Sequence, residues 1–223
     1  MLLAVLVAAA LSATPAPPSA GASAPADGSY SYTITQNGND VGKSSFTIKR
    51  ADVGLTVHET ETVTPYNFVV DEIFDSETLT PKAYTGVYAR GTDTSTVHAA
   101  FDHSGATVTI EGTEGTAPLP NPPGVKQAYV LEGMLMSGFA MLPAQIHASK
   151  ATQFSLIEPR AVLQFLAHVD PHPIASRPSG VPPSDALLSI TGSVNVDEWY
   201  DPATFVLHAL SMPSQQVLIT LTK

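Results

Sequence analysis

His168-Val169-Asp170-Pro171-His172 is the run whose residue types best suit a metal ion. Alternate residues of an extended segment project to one side, imidazole and carboxylate both ligate zinc and similar divalent ions, and Pro171 and Pro173 hold the backbone extended. His168, Asp170 and His172 are therefore candidate ligands of a metal-dependent hydrolase. Because no third or fourth ligand is identifiable elsewhere, a solvated strand end is the competing reading. Asp102-His103-Ser104 contains the residue types of a hydrolytic triad, but adjacent residues cannot form the relay of nucleophile, base and orienting acid, so it reads as a hairpin turn. In Gly133-Met134-Leu135-Met136-Ser137-Gly138 the first glycine stands two positions too far from Ser137 for a nucleophile elbow. The chain has no phosphate-binding glycine loop and no dinucleotide fingerprint, so no cofactor is implied. Catalytic residues are accordingly not assigned.

Met134, Met136 and Met141, beside Phe139 and Leu142, invite a different chemistry. Methionine is flexible and polarizable, and clusters of it make adaptable apolar binding surfaces, although core packing uses the same properties. Met134, Met136, Phe139 and Met141, together with Trp199, are the candidate ligand-binding residues.

One internal similarity stands out. Glu72-Ile-Phe-Asp75-Ser-Glu-Thr78-Leu79 and Glu198-Trp-Tyr-Asp201-Pro-Ala-Thr204-Phe205 share the pattern Glu, apolar, aromatic, Asp, two variable residues, Thr, apolar. The spacing describes a strand end, a tight turn whose Asp accepts backbone N–H groups, and a returning strand opened by Thr. A functional alternative pairs Glu72 with Glu198.

The elements that must position these residues are strands. From Tyr30 onward, short alternating runs rich in Thr, Val, Ile and Tyr are broken by frequent turn signals. Tyr30, Tyr32 and Ile34 share one face, Asn37-Gly38-Asn39-Asp40 turns the chain, and Phe46 and Ile48 return, making a hairpin. Leu55, Val57 and Val63 follow with Glu59 and Glu61 between them, then Phe68, Val70, Ile73 and Phe74. Further strands are expected at 82–89, 95–102, 105–112, 152–157, 161–168, 186–198, 203–211 and 215–222. Ala117 to Gly124, with four prolines, is stiff and extended. Val125 to Leu142 carries apolar residues at spacings of three, four and seven, which predicts one short helical segment near 126–142, weakened by Gly133 and Gly138. Asp170 to Pro183 is a Pro-rich loop. The fold class is mainly β: a curved antiparallel meander forming an open or half β-barrel, since a long flat sheet would expose an apolar face and two edges.

Composition sets the boundaries. Of 223 residues 43% are hydrophobic and 13% charged, which supports a sizeable core. The formal net charge of −10 opposes nucleic-acid binding. With no cysteine, disulfides, thiolate metal sites and an N-terminal lipid anchor of the chain's own are excluded. Leu2 to Leu11 is apolar but too short to span a bilayer, and a small-residue stretch follows, the plan of a secretory signal peptide cut after Ala22. The expected organisation is a signal peptide at 1–22, a flexible N-terminal tail at 23–28 and a single β-rich domain at 29–223 with a Pro-rich loop at 170–184. The mature chain is expected to be exported, periplasmic or extracellular, and not membrane-spanning.

The hairpin residues Tyr30, Tyr32, Ile34, Gly38, Val41 and Gly42, the turn Asp75, Thr78, Leu79 and Pro81, and the stretch Val196 to Lys223 with Trp199-Tyr200-Asp201-Pro202 resemble an uncharacterised family of exported bacterial β-rich proteins. The resemblance implies a curved half-barrel like that of periplasmic lipoprotein carriers, whose concave side holds an apolar guest, and it carries no catalytic residue. The first expectation is an exported non-enzymatic protein that binds an apolar or amphipathic ligand, a lipid-like molecule or a lipidated protein, on the concave face. The alternatives are the metal-dependent hydrolase and a structural or interaction module of the cell envelope.

Overall fold

The computed structural model describes residues 24–52, 54–133 and 135–222. The signal peptide read at 1–22 and the candidate Met134 lie outside the described residues. In chain order the strands are β1 (Gly28–Gln36), β2 (Asn39–Ala51), β3 (Gly54–Val63), β4 (Tyr66–Phe74), β5 (Pro81–Arg90), β6 (Asp93–Asp102), β7 (Gly105–Ile110), β8 (Ala117–Pro120) and β9 (Ala128–Val130). Helix α1 (Met136–Ser149) follows, then β10 (Gln153–Glu158), β11 (Leu163–Val169), β12 (Ala186–Gly192), β13 (Val196–Tyr200), β14 (Leu207–Met212) and β15 (Val217–Leu221).

All fifteen strands belong to one curved sheet, ordered β8-β7-β6-β5-β4-β3-β2-β1-β15-β14-β13-β12-β11-β10-β9. The beginning and end of this meander meet at mid-sheet, where β1 pairs with β15 and Ile34 lies opposite Ile219. The antiparallel meander read from the alternation is therefore present. Its exception is the parallel pairing of β9 with β10, made possible because α1 intervenes as a crossover.

Period-2 alternation decides what lies inside. Tyr32, Ile34, Phe46, Ile48, Leu55 and Val57 are buried in the main core, whereas Ser45 and His58, on the opposite parity, are exposed. Each such large apolar side chain contributes about 1.5–3 kcal/mol on burial. The segment read as a flexible tail is held here from Ala24 onward: Ala24 is in the core cluster, and the Arg50 guanidinium donates to the carbonyls of Ala24 and Pro25 and pairs with Asp27.

The helix begins ten residues later than expected and runs on through Ser149. Residues 128–130 are instead β9, and Gly133 takes a left-handed φ of 52° before the helix starts. The misreading has a physical cause. All ten residues from Met136 to Gln145 are buried, so over this length α1 has no solvent face and leaves no amphipathic stripe to mark its start; only in the last turn is a residue, His147, exposed. The expected strand at 186–198 is two strands, β12 and β13, and the expected strand at 203–211 starts only at Leu207 because residues 201–205 form a turn.

The sheet ends, β8 and β9, do not pair with each other. The seam is packed with side chains instead: Phe101 and Leu119 lie on the small cluster Ala106, Ala128 and Ile157. Val130 and Leu135 join Val70, Tyr84, Tyr88, Val97, Ala99 and Val108 in a second cluster beside it.

Helix and sheet touch most closely at Gly138, where an added Cβ would stand 2.7 Å from the Val130 carbonyl oxygen. Gly138→Ala must push α1 off β9, so it is expected to lower stability by about 1–3 kcal/mol. Urea denaturation should show a lower midpoint with an unchanged slope.

Candidate functional site

An α-helix leaves its first amides without intrahelical partners. In α1 no side chain at its own N-terminus caps them, and no acid stands in its first turn. The missing acceptor comes from across the core. On β3 the residues Leu55, Val57, Glu59, Glu61 and Val63 share the inward parity, so the apolar members carry both glutamates inside. The Glu59 carboxylate is fully buried and accepts the N–H of Met136 at 2.8 Å, the N–H of Ser137 at 2.8 Å and the hydroxyl of Ser44 from β2. It thus acts as a cap and as a negative charge at the positive end of the helix dipole, supplied from another element. Burial pushes the Glu59 pKa up, and the hydrogen bonds from Ser137, Ser44 and Met136 oppose that rise.

Three more glutamates line the same interior. Burial pushes Glu61 up to about 10, with the Glu59 charge adding to the rise. Burial raises Glu72 on β4 to about 8, again reinforced by Glu59. Glu132 is raised to about 7 by burial although the Arg160 N–H, at 2.8 Å, and the Arg160 Nε, at 3.5 Å, face it. Neither oxygen of Glu61 and not the Oε2 of Glu72 has a hydrogen-bond partner among the described residues. Such groups are held as neutral acids at pH 7, because an unpaired buried carboxylate is far costlier than its protonated form. Arg160 places its guanidinium over the rings of Tyr88 and Phe68, at 5.3 and 5.9 Å from their centroids, and the Tyr84 and Tyr88 hydroxyls touch. This is a proton-loaded interior around a helix end.

The C-terminal half of α1 is held by the repeated motif. In both copies the Asp accepts turn amides, Asp75 from Glu77 and Thr78, Asp201 from Ala203 and Thr204. In both, the apolar residue after Thr takes a left-handed φ of 57° and donates its N–H to the Asp carbonyl: Leu79 at 3.0 Å and Phe205 at 2.8 Å. Both apolar side chains are buried in the main core. Gln145 of α1 donates to the Leu79 carbonyl at 2.8 Å, and the His147 ring lies 5.1 Å from that of Phe205. The turn reading of the repeat is what the structure contains. Glu72 and Glu198 are both buried inward and each is raised chiefly by that burial; the charges that add to it differ, Glu59 and Glu132 for the first and Asp197 for the second.

The other sequence candidates separate. Met136, Phe139 and Met141 gather on α1 within the main core, all essentially inaccessible. Trp199 is equally buried but has the opposite parity to Val196 and Tyr200 on β13, so it lies on the convex side, paired across the sheet with Leu187 and Ala209. No three His, Asp or Glu side chains among the described residues are gathered to hold a metal ion, His168, Asp170 and His172 included. The extended run that would align them bends: Asp170 turns back to accept the His172 N–H at 2.9 Å. Asp102 likewise accepts the N–H and hydroxyl of Ser104, as a hairpin turn requires. The glutamate set was missed as a site, although the parity of Glu59 and Glu61 with Leu55, Val57 and Val63 is a sequence signal that places them inside.

Replacing Glu59 by Gln puts an NH2 group beside two amide donors, and a loss of about 2–4 kcal/mol is expected. Hydrogen exchange should show the Met136 and Ser137 amides losing protection before those of β1–β3. The raised acids set a pH trend. Between about 4.5, where the unfolded side chains titrate, and their folded values, the native state binds more protons, so stability is greatest on the acid side and falls as pH rises through about 7 to 10. Each group contributes at most about 1.4 kcal/mol per pH unit. Urea midpoints measured from pH 5 to pH 9 should decline, and Glu61→Gln or Glu72→Gln should flatten the decline.

No protein-family model matches the chain, and no curated protein does either. Among solved structures the chain is similar to a β-barrel-like protein of a domain of unknown function, DUF1849, from Brucella abortus, with a TM-score of 0.53 at 11% identity, covering 90% of this chain and 96% of that one. The likeness is one of fold: a mainly β, barrel-like architecture over nearly the whole length of both proteins.

Proposed function

We propose that the protein is an exported, non-enzymatic binding module whose ligand is apolar or amphipathic, a lipid-like molecule or a lipidated partner. The ligand's place is the concave face, which α1 fills in the present state. The observation that carries this reading is the character of α1. It is buried on every side from Met136 to Gln145, its N-terminus has no side-chain cap of its own, and Gly138 and Pro143 lower its intrinsic helicity. Its position rests on the Met136, Phe139 and Met141 packing and on Glu59, so a guest that covers the same apolar wall replaces what the helix contributes. Methionines suit a surface that must accept either its own helix or a guest. Among the described residues no helix is long and apolar enough to cross a membrane.

Native mass spectrometry of the detergent-free chain incubated with palmitate or with phosphatidylglycerol micelles tests the reading. A stoichiometric adduct is expected, accompanied by loss of amide protection in α1 and by a larger adduct fraction for Glu59→Gln. An unliganded chain whose α1 amides stay protected at saturating lipid overturns it.

A further inference from the structure

The convex side carries a second site, built on separate residues. Register shifts between β13 and β14: Trp199 lies opposite Ala209 but Tyr200 lies opposite Leu207, leaving His208 as the extra residue of a β-bulge. Bulges re-aim a side chain, and this one brings His208 against the buried Asp185 at the end of the Pro-rich loop. The His208 Nδ1 stands 2.7 Å from Asp185 Oδ2, and the Asp185 side chain is 1% exposed. The loop that carries Asp185 is stapled to itself, because the Arg177 guanidinium donates to the carbonyls of Pro182, at 2.6 Å, and Asp185, at 3.1 Å. Between this loop and β14–β15 lies a cleft of about 360 Å³ lined by Ser179, Gly180, Val181, Pro182, His208, Thr220 and Leu221.

We propose that this cleft binds a small carboxylate with a short apolar body, anchored on the Nε2 of His208. His208 Nδ1 is engaged by Asp185 and the ring lines the cleft, so in its imidazolium form the one donor left for a ligand is Nε2–H. The Ser179 and Thr220 hydroxyls add donors, no acid lines the cleft, and Val181, Pro182 and Leu221 provide apolar wall. In a chain of net charge −10, a cleft whose polar side chains can each donate and that holds no carboxylate of its own suits an anion. The volume falls within the range of small-molecule sites. The charged groups around the ring are Asp185, which is hydrogen-bonded to Nδ1, Asp201 at the β13–β14 turn, whose carboxylate is taken by the Ala203 and Thr204 amides, and Arg177, whose guanidinium is occupied by carbonyls.

The experiment follows the ring nitrogens of His208 by NMR in the full chain labelled at histidine, during titration with isovalerate, with its uncharged analogue isovaleramide, and with the dipeptide Gly-Val. A saturable Nε2 shift is expected with a carboxylate and not with the amide. Binding of isovalerate alone identifies a free acid as the source of the carboxylate, and binding of the dipeptide identifies a chain terminus. His208→Gln and Asp185→Asn are each expected to weaken binding about tenfold or more, the usual contribution of a charged hydrogen bond. Absence of a saturable shift in the wild-type chain with both carboxylates overturns the proposal, as does equal binding of the amide or undiminished binding to a folded His208→Gln chain.

Discussion

The interior is organised around one hydrogen-bonded contact, the Glu59 carboxylate on the first amides of α1. A helix enclosed by a sheet cannot use water for its open N–H groups, so an acceptor had to be built into the wall that faces it. β3 supplies that acceptor from a strand otherwise inward-facing through Leu55, Val57 and Val63. Burial in this low-dielectric place is what chiefly raises its neighbours Glu61 and Glu72, and the Glu59 charge adds to the rise. One capping requirement therefore accounts for the helix position and adds to the rise that burial gives Glu61 and Glu72.

The other half of the helix is held by geometry that occurs twice. Two turns far apart in sequence, after β4 and after β13, each push an apolar residue in a left-handed conformation into the core against α1. Asp75 and Asp201 hold both turns by accepting the local amides, and Asp75 also pairs with Lys82 of β5 at 2.9 Å. The helix is gripped by a polar contact at its start and, toward its end, by a hydrogen bond to the Leu79 carbonyl and a ring contact with Phe205.

Much of this was legible before the structure. The hairpin Tyr30-Tyr32-Ile34 against Phe46-Ile48, the strands from 82 to 110 and the two Asp turns follow from side-chain parity and turn chemistry, both of which act within a few residues. The limits of α1 were not legible, because a helix enclosed on all sides loses the periodicity that marks helices at a surface. The inward placement of Glu59 and Glu61 was written in their parity, but their role depends on α1 standing opposite, a contact spanning 77 residues between Glu59 and Met136. His168, Asp170 and His172 failed as a group for a local reason: Asp170 found a nearer partner in the His172 amide. His208 could not be singled out at all, since a bulge is a property of two strands together.

The unpaired meeting of β8 and β9 gives the sheet a mechanical character that a closed barrel lacks. In a closed barrel strand number and stagger fix the radius, and no change of girth is possible without breaking a hydrogen-bonded ladder. Here the wall is a split ring. Leu119 and Phe101 meet Ala128 and Ile157 by side-chain packing alone, with no backbone ladder across the seam, and with two prolines among its four residues β8 offers few donors to a foreign strand. The circumference is thereby adjustable at a single longitudinal slit, and the same slit is guarded against edge-to-edge growth into fibres.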